Sequence, residues 1–234
     1  IHGMDLLLMP GELRFLIGPN GAGKTTMLDV ICGKVKAASG DIRFKGEIDI
    51  SRKREHQIAE LGIGRKFQAP SIFTELTVFE NLELAMRQNR GVFATLRAKL
   101  TAPDIARITA QLELIGLADK SGFRAGGLSH GEKQWLEIGM MLMQEPEVLL
   151  LDEPVAGMTD SETEKTGELL KEITKARTVV VVEHDMDFVR AFASKVTVMH
   201  EGKLLKEGTM QEVQEDAAVA EVYLGQRRDA YAVG

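Results

Sequence analysis

Three short apolar runs constrain the fold more than any other feature of this sequence. Leu13–Ile17, Val148–Leu151 and Thr178–Val182 are each four or five residues long, and none alternates apolar with polar residues. A strand with one face in water alternates. A run that does not suits a strand covered on both faces, as in a parallel sheet with helices on either side. Residues 196–205 read as a hairpin turning at Glu201-Gly202. The segment 70–127 has a different rhythm. Thr77-x-x-Glu80 is a capping box that opens a helix running to about Gln88, and Ile105, Ile108, Leu112 and Ile115 recur at helical spacing. The expectation is an α/β fold. Its core comprises residues 1–69 and 128–225, an α-helical subdomain is inserted at 70–127, and 226–234 form a C-terminal tail.

The first apolar run leads into Gly18-Pro19-Asn20-Gly21-Ala22-Gly23-Lys24-Thr25-Thr26. This matches the phosphate-binding pattern G-x-x-x-x-G-K-[ST], between a predicted strand and a predicted helix at 24–32. Glycines let successive backbone N–H groups curl around phosphate oxygens, and the helix N-terminus adds positive potential. Lys24 is placed to reach the β- and γ-phosphates, and the Thr25 hydroxyl to ligate Mg²⁺. The second run ends in Asp152-Glu153, and ligands of open α/β sheets bind at this end of the strands. Asp152 is the candidate Mg²⁺ holder, and Glu153 the candidate base or orienting group for an attacking water. His184 follows the third run, where an imidazole can hold that water and the γ-phosphate in line. ATP and Mg²⁺ are the cofactors these groups predict.

Composition narrows the setting. Of 234 residues 44% are apolar and 27% charged, the profile of a folded globular chain. No window reaches the roughly 18 apolar residues of a membrane span, and no secretory signal is visible, so the expected location is the cytoplasm. A net charge of −6 without a dense basic run argues against nucleic acid as a partner. Arg87, Arg90, Arg97 and Lys99 read as a solvated face. The single cysteine, Cys32, lies among Leu28, Val30 and Ile31 on a predicted helix and reads as a buried thiol.

Leu128-Ser129-His130-Gly131-Glu132 narrows the family. It resembles the signature of ABC ATPases, usually L-S-G-G-Q. Ser129 and Glu132 also form a capping box ahead of a helix bearing Trp135, Leu136, Ile138, Leu142 and Met143. Gln68 resembles the family's Q-loop glutamine, and Asp160 in Ala156-Gly-Met-Thr-Asp160 its D-loop. The resemblance implies a P-loop NTPase core of the ABC type. It makes Gln68 a further catalytic and Mg²⁺-contacting residue. Ser129, His130, Gly131 and Glu132 then act in trans on the γ-phosphate held by a second ATP-binding subunit in a head-to-tail dimer. His130 and Glu132 depart from the usual glycine and glutamine. The stretches 61–68, 129–139 and 154–160 are similar to ATP-binding subunits of urea-type ABC importers, near the branched-chain amino acid importers. That likeness implies two membrane permeases, an external solute-binding protein, a position at the inner face of the membrane, and urea or a short amide as solute. A branched-chain amino acid importer or a lipopolysaccharide exporter is the alternative. Phe73, Phe79 and Phe93 are candidate permease contacts. Family members carry an adenine-stacking aromatic upstream of the P-loop. Here the first aromatic, Phe15, lies inside the strand, so weak base recognition is expected of the chain as given.

Non-transport ABC ATPases are the rival class. DNA-repair members separate the P-loop from the signature by a long coiled coil, and no sustained heptads occur here. Translation-associated members usually carry two such domains. A nucleotide-binding regulator without turnover is expected to lack Glu153 or His184, and both are present.

Overall fold

The computed structural model describes residues 1–66, 72–86 and 100–222. The chain divides into two compact units: one of residues 1–65, 147–154 and 170–234, the other of 66–146 and 155–169.

The first unit is built on a six-stranded sheet. Its strands are β1 (Leu13–Ile17), β4 (Ile63–Arg65), β5 (Val148–Asp152), β6 (Thr178–Val182), β7 (Lys195–His200) and β8 (Lys203–Gly208), in the order β4-β5-β6-β1-β7-β8. All neighbouring pairs are parallel except β7 and β8, which form the predicted hairpin. Its turn residues Glu201 and Gly202 both take positive φ, 48° and 74°, which matches the twist of a two-residue hairpin. A small antiparallel pair, β2 (Arg43–Phe44) with β3 (Ile48–Asp49), stands apart from the sheet.

The apolar runs fill both faces, as their lack of alternation requires. Leu16, Leu150, Val180 and Val182 pack with Met27, Leu28 and Cys32 around α1 (Lys24–Ile31) and with Ile58 of α2 (Glu55–Leu61). Phe15, pointing the other way, meets Phe188 of α7 (Met186–Phe192) edge-on, with ring centroids 5.6 Å apart. The thiol of Cys32 is buried, as its apolar neighbours predicted.

The second unit contains α3 (Val78–Ala85), α4 (Ala102–Leu114) and α5 (His130–Leu142), with the first part of α6 (Asp160–Thr174). Both predicted capping boxes form, Thr77 with Glu80 and Ser129 with Glu132. Of the predicted stripe on α4, Ile108, Leu112 and Ile115 are buried, while Ile105 is largely exposed. The expected grouping put residues 128–225 in the core; here 128–146 and 155–169 gather with the inserted segment instead. Packing gives the reason. A Cβ on Gly139 of α5 would lie 2.8 Å from Ile115 and 3.2 Å from Leu82, so α5 lies hard against the helices of the insert. The expected helix end at Gln88 lies outside the described residues, as do Arg87, Arg90, Phe93, Arg97, Lys99 and the tail 226–234.

One side chain breaks the apolar rule of β1. Arg14 is fully buried. Its guanidinium donates to Glu12, Glu207, Thr197 Oγ1 (2.7 Å) and the Leu7 carbonyl (3.0 Å). It thereby ties β1 to β7 and β8 through charge-assisted bonds. Arg14→Met fills the space but takes the guanidinium away from Glu12 and leaves Glu207 with Lys195 alone. A loss of about 3 kcal/mol is expected, the lower end for a broken buried pair, read as a lower midpoint in urea unfolding. An unchanged midpoint would mean that the pair contributes nothing.

Candidate functional site

The phosphate cradle sits where β1 hands over to α1. Gly18 has φ 147°, and a Cβ there would lie 2.1 Å from the Met199 carbonyl oxygen of β7, so only glycine fits. Gly21 and Gly23 follow with φ 80° and 99°, in the left-handed region. Pro19, Asn20 and Ala22 complete the loop, and Ala22 donates its N–H to the Pro19 carbonyl at 3.1 Å. Gly23 precedes α1 with no side-chain cap, and the first turn of α1 holds no acidic residue. Amides that most helices satisfy with a cap are thus left for an anion. Thr25 and Thr26 are exposed at the start of α1.

Lys24 is buried, and its ammonium donates to the carbonyls of Gly18 (2.7 Å) and Pro19 (3.0 Å). Burial pulls its pKa below the usual lysine value, against the carboxylates of Glu153 and Asp152. Parallel pairing brings the acidic strand end alongside, with Asp152 opposite Val182 in register. Glu153 takes φ 49°, uncommon for a residue with a side chain, and its amide donates to the Val182 carbonyl at 2.9 Å. Its Oε1 lies 3.3 Å from His184 Nδ1. The structure therefore brings the P-loop, Asp152, Glu153 and His184 together in one unit.

Asp152 tests whether a divalent cation fits. Its Oδ2 is buried without a hydrogen bond and lies 3.9 Å from the Arg65 guanidinium. Burial pushes the carboxyl pKa up, opposed by a hydrogen bond from Thr25 and by the charge of Arg65. A buried carboxylate with an unused lone pair beside a threonine hydroxyl suits a hard cation such as Mg²⁺. Among the described residues no group of three or more His, Cys, Asp or Glu gathers as a metal cage. A cation held here thus takes its remaining ligands from phosphate and water. Gln68 lies outside the described residues.

Two residues here escaped the sequence reading. Arg65, its side chain buried, pairs with Asp29, approaches Cys32 Sγ at 3.3 Å, and faces Asp152. Glu183 is buried, and its Oε2 accepts the amides of His184 (3.0 Å) and Asp185 (3.4 Å), shaping the turn that presents His184. A charge at the end of an apolar strand was the only signal for either.

The signature lies in the second unit. Ser129 caps α5, and Glu132 Oε2 accepts the Ser129 amide at 3.0 Å. The other oxygen of Glu132 pairs with Lys120. Although burial raises the pKa of Glu132, Lys120 and the Ser129 amide outweigh it and hold the group ionised. The unusual acid is thus turned back onto its own chain. His130, the other departure, donates Nε2–H to the Ala156 carbonyl at 3.0 Å, which fixes its tautomer and stitches the signature to the stretch before Asp160. Gly131 is buried, and Asp160 is exposed in the first turn of α6.

A strand–loop–helix cradle with acidic side chains at the same sheet edge defines a P-loop nucleoside triphosphatase. Residues 1–156 match the family model described as ABC transporter. The high-affinity branched-chain amino acid transport ATP-binding protein LivG of Escherichia coli (strain K12) is 35% identical over 97% of this chain and 92% of its own length. Among solved structures, the ADP conformation of MJ1267, an ATP-binding cassette of an ABC transporter, matches with TM-score 0.78 at 31% identity, covering 93% of this chain and 89% of that one. A dimeric post-hydrolysis state of the cassette MJ0796, bound to ADP and Pi, matches with TM-score 0.71 at 26% identity over 88% of each chain. This chain belongs to the ABC transporter family, as an ATPase of that family. The name LivG carries branched-chain amino acids rather than urea. The urea expectation gains no support from it, and the branched-chain alternative does.

Asp152 yields a prediction with a definite sign. An unfolded chain ionises it near the ordinary value of 3.8, and the folded chain only at higher pH. Between those points the unfolded state releases its proton first, so stability falls as pH rises through the window and stays lost above it. Asp152→Asn should therefore raise the urea midpoint of the nucleotide- and metal-free chain at pH 7, with the gain shrinking as pH falls toward 3.8. A midpoint at or below the parent's at pH 7 would show that the carboxylate is not strained.

Proposed function

We propose that this protein is the ATP-hydrolysing subunit of an importer for branched-chain amino acids, working as a head-to-tail pair at the cytoplasmic face of the membrane. The observation that carries the solute reading is the likeness to LivG along nearly the whole of both chains. Among the described residues no helix is long and apolar enough to cross a membrane, so passage of the solute is left to permease subunits. An external solute-binding protein would deliver it. Phe73, half exposed at the edge of the helical insert, remains a candidate permease contact; Phe79 is partly buried, and Phe93 lies outside the described residues.

The chemistry follows from the first unit. Phosphate oxygens, being charged, compete well for the Lys24 ammonium against the neutral carbonyls of Gly18 and Pro19. The open amides of α1 and the loop hold the β- and γ-phosphates. Asp152 and Thr25 would hold Mg²⁺, with Gln68 as a further contact; the ion would neutralise charge on the phosphates as the bond to the leaving oxygen breaks. Glu153 orients the attacking water and takes its proton, and His184 beside it keeps water and γ-phosphate in line. Ser129 and the amide of Gly131 would reach the γ-phosphate of the partner subunit, flanked by His130, Glu132 and Asp160. The dimeric form of the neighbour MJ0796 supports such a pair.

Glu153→Gln should keep ATP affinity, lose turnover by about 10²- to 10⁴-fold, and accumulate as an ATP-bound dimer. Steady-state hydrolysis near the parent rate would remove Glu153 from the role of base. In the native host, deleting the gene should abolish ATP-dependent accumulation of labelled leucine at low external concentration and spare urea uptake. Lys24→Ala should reproduce the loss. Lost urea uptake with normal leucine uptake would overturn the branched-chain assignment in favour of urea.

A further inference from the structure

The donors that the head-to-tail reading reserves for a partner's phosphate are already in use within this chain. The Ser129 hydroxyl donates to Glu162 Oε1 at 2.8 Å, and the Gly131 amide donates to the same carboxylate. The approach is close: a Cβ built on Gly131 would lie 2.5 Å from Glu162 Cδ and 2.6 Å from Oε1. Oε2 accepts the amide and the hydroxyl of Thr159, each at 3.0 Å. One oxygen of Glu162 thus caps α6, while the other reaches across to the N-terminus of α5. A carboxylate on a hydroxyl and an amide at the start of a thirteen-residue helix copies the way such a terminus takes a phosphate.

We propose that Glu162 is a built-in stand-in for the partner's γ-phosphate, occupying the Ser129 and Gly131 donors in the separate chain and leaving them when the ATP-bound pair closes. This rests on the head-to-tail reading and gives it a threshold. Closing the pair breaks the Glu162 contacts. A γ-phosphate, with more charge and more acceptor oxygens than one carboxylate, replaces them with stronger ones. A chain carrying ADP brings no such group and recovers nothing. Glu162 can step aside without unfolding its surroundings, because it is only half buried and Thr159 still holds its other oxygen.

The test uses the full chain with Glu153→Gln, so that ATP is retained, with and without Glu162→Gln. Glutamine keeps the acceptor that a capping box needs at this position and removes the charge. Sedimentation velocity in Mg-ATP across a range of protein concentrations gives the point of half-association. A fluorescent ATP analogue, used below that concentration, gives the affinity of the single chain. Glu162→Gln is expected to lower the half-association concentration about tenfold, the scale of exchanging a charged for a neutral hydrogen-bond acceptor. The single-chain affinity should not move, because the Lys24 cradle belongs to the other unit. A scaffolding role for Glu162 gives the opposite sign, so an unmoved or higher half-association point overturns the proposal while leaving the head-to-tail reading intact. Failure of both chains to associate in ATP overturns that reading, and the role of Glu162 with it.

Discussion

The candidate site depends on the parallel hydrogen bonding of β1 to β6 on one side and β7 on the other, with β5 beyond β6. Parallel strands end at the same edge of a sheet. Ile17 therefore releases the chain into the P-loop at the edge where Asp152 closes β5 and Val182 leads to Glu183 and His184. Lys24 and His184, far apart in sequence, come to serve one site through main-chain bonds rather than through contacts of their own. The uncommon backbone of Glu153 fits the same scheme. Its amide is pinned to Val182 of the neighbouring strand, which turns the chain sharply while keeping the carboxylate within 3.3 Å of His184.

Charge inside each unit is managed by pairing rather than by exposure. Arg65 answers both Asp29 and Asp152, and that shared cation makes a buried Asp152 tolerable. Lys66 and Glu137, both buried in the second unit, lie 3.5 Å apart. The phosphate-seeking groups follow the same rule. Lys24 is held by loop carbonyls, and the signature donors by Glu162. Lys24 and the signature donors are thus held by weaker internal acceptors that a phosphate would have to displace.

The sheet was legible because burial on both faces writes itself into the pattern: short apolar runs without alternation, each leading into glycine or acidic residues, suit covered strands. The P-loop was legible because glycine spacing is a backbone requirement, visible in Gly18 and Gly23 before any contact is known. Arg14, Arg65, Glu183 and Glu162 were not legible. Each sits in an ordinary local context, and its meaning depends on what another part of the chain brings beside it. The grouping of α5 escaped for the same reason. A well-capped amphipathic helix announces that one face is buried, but not that Leu82 and Ile115 will be what buries it. The solute was not legible, because nothing in the nucleotide site depends on it.

The contact between Gly18 and the Met199 carbonyl has a bearing on biosynthesis. The candidate nucleotide loop takes its shape against β7, a strand that follows it much later in the sequence. A polypeptide emerging from the ribosome has its glycine-rich segment early, but gains the surface that moulds it only once β7 has been made and has joined β1. Such long-range closure is slow and entropically demanding. Nucleotide capture by the loop is therefore expected to await the synthesis of residues 195–200 and their pairing with β1.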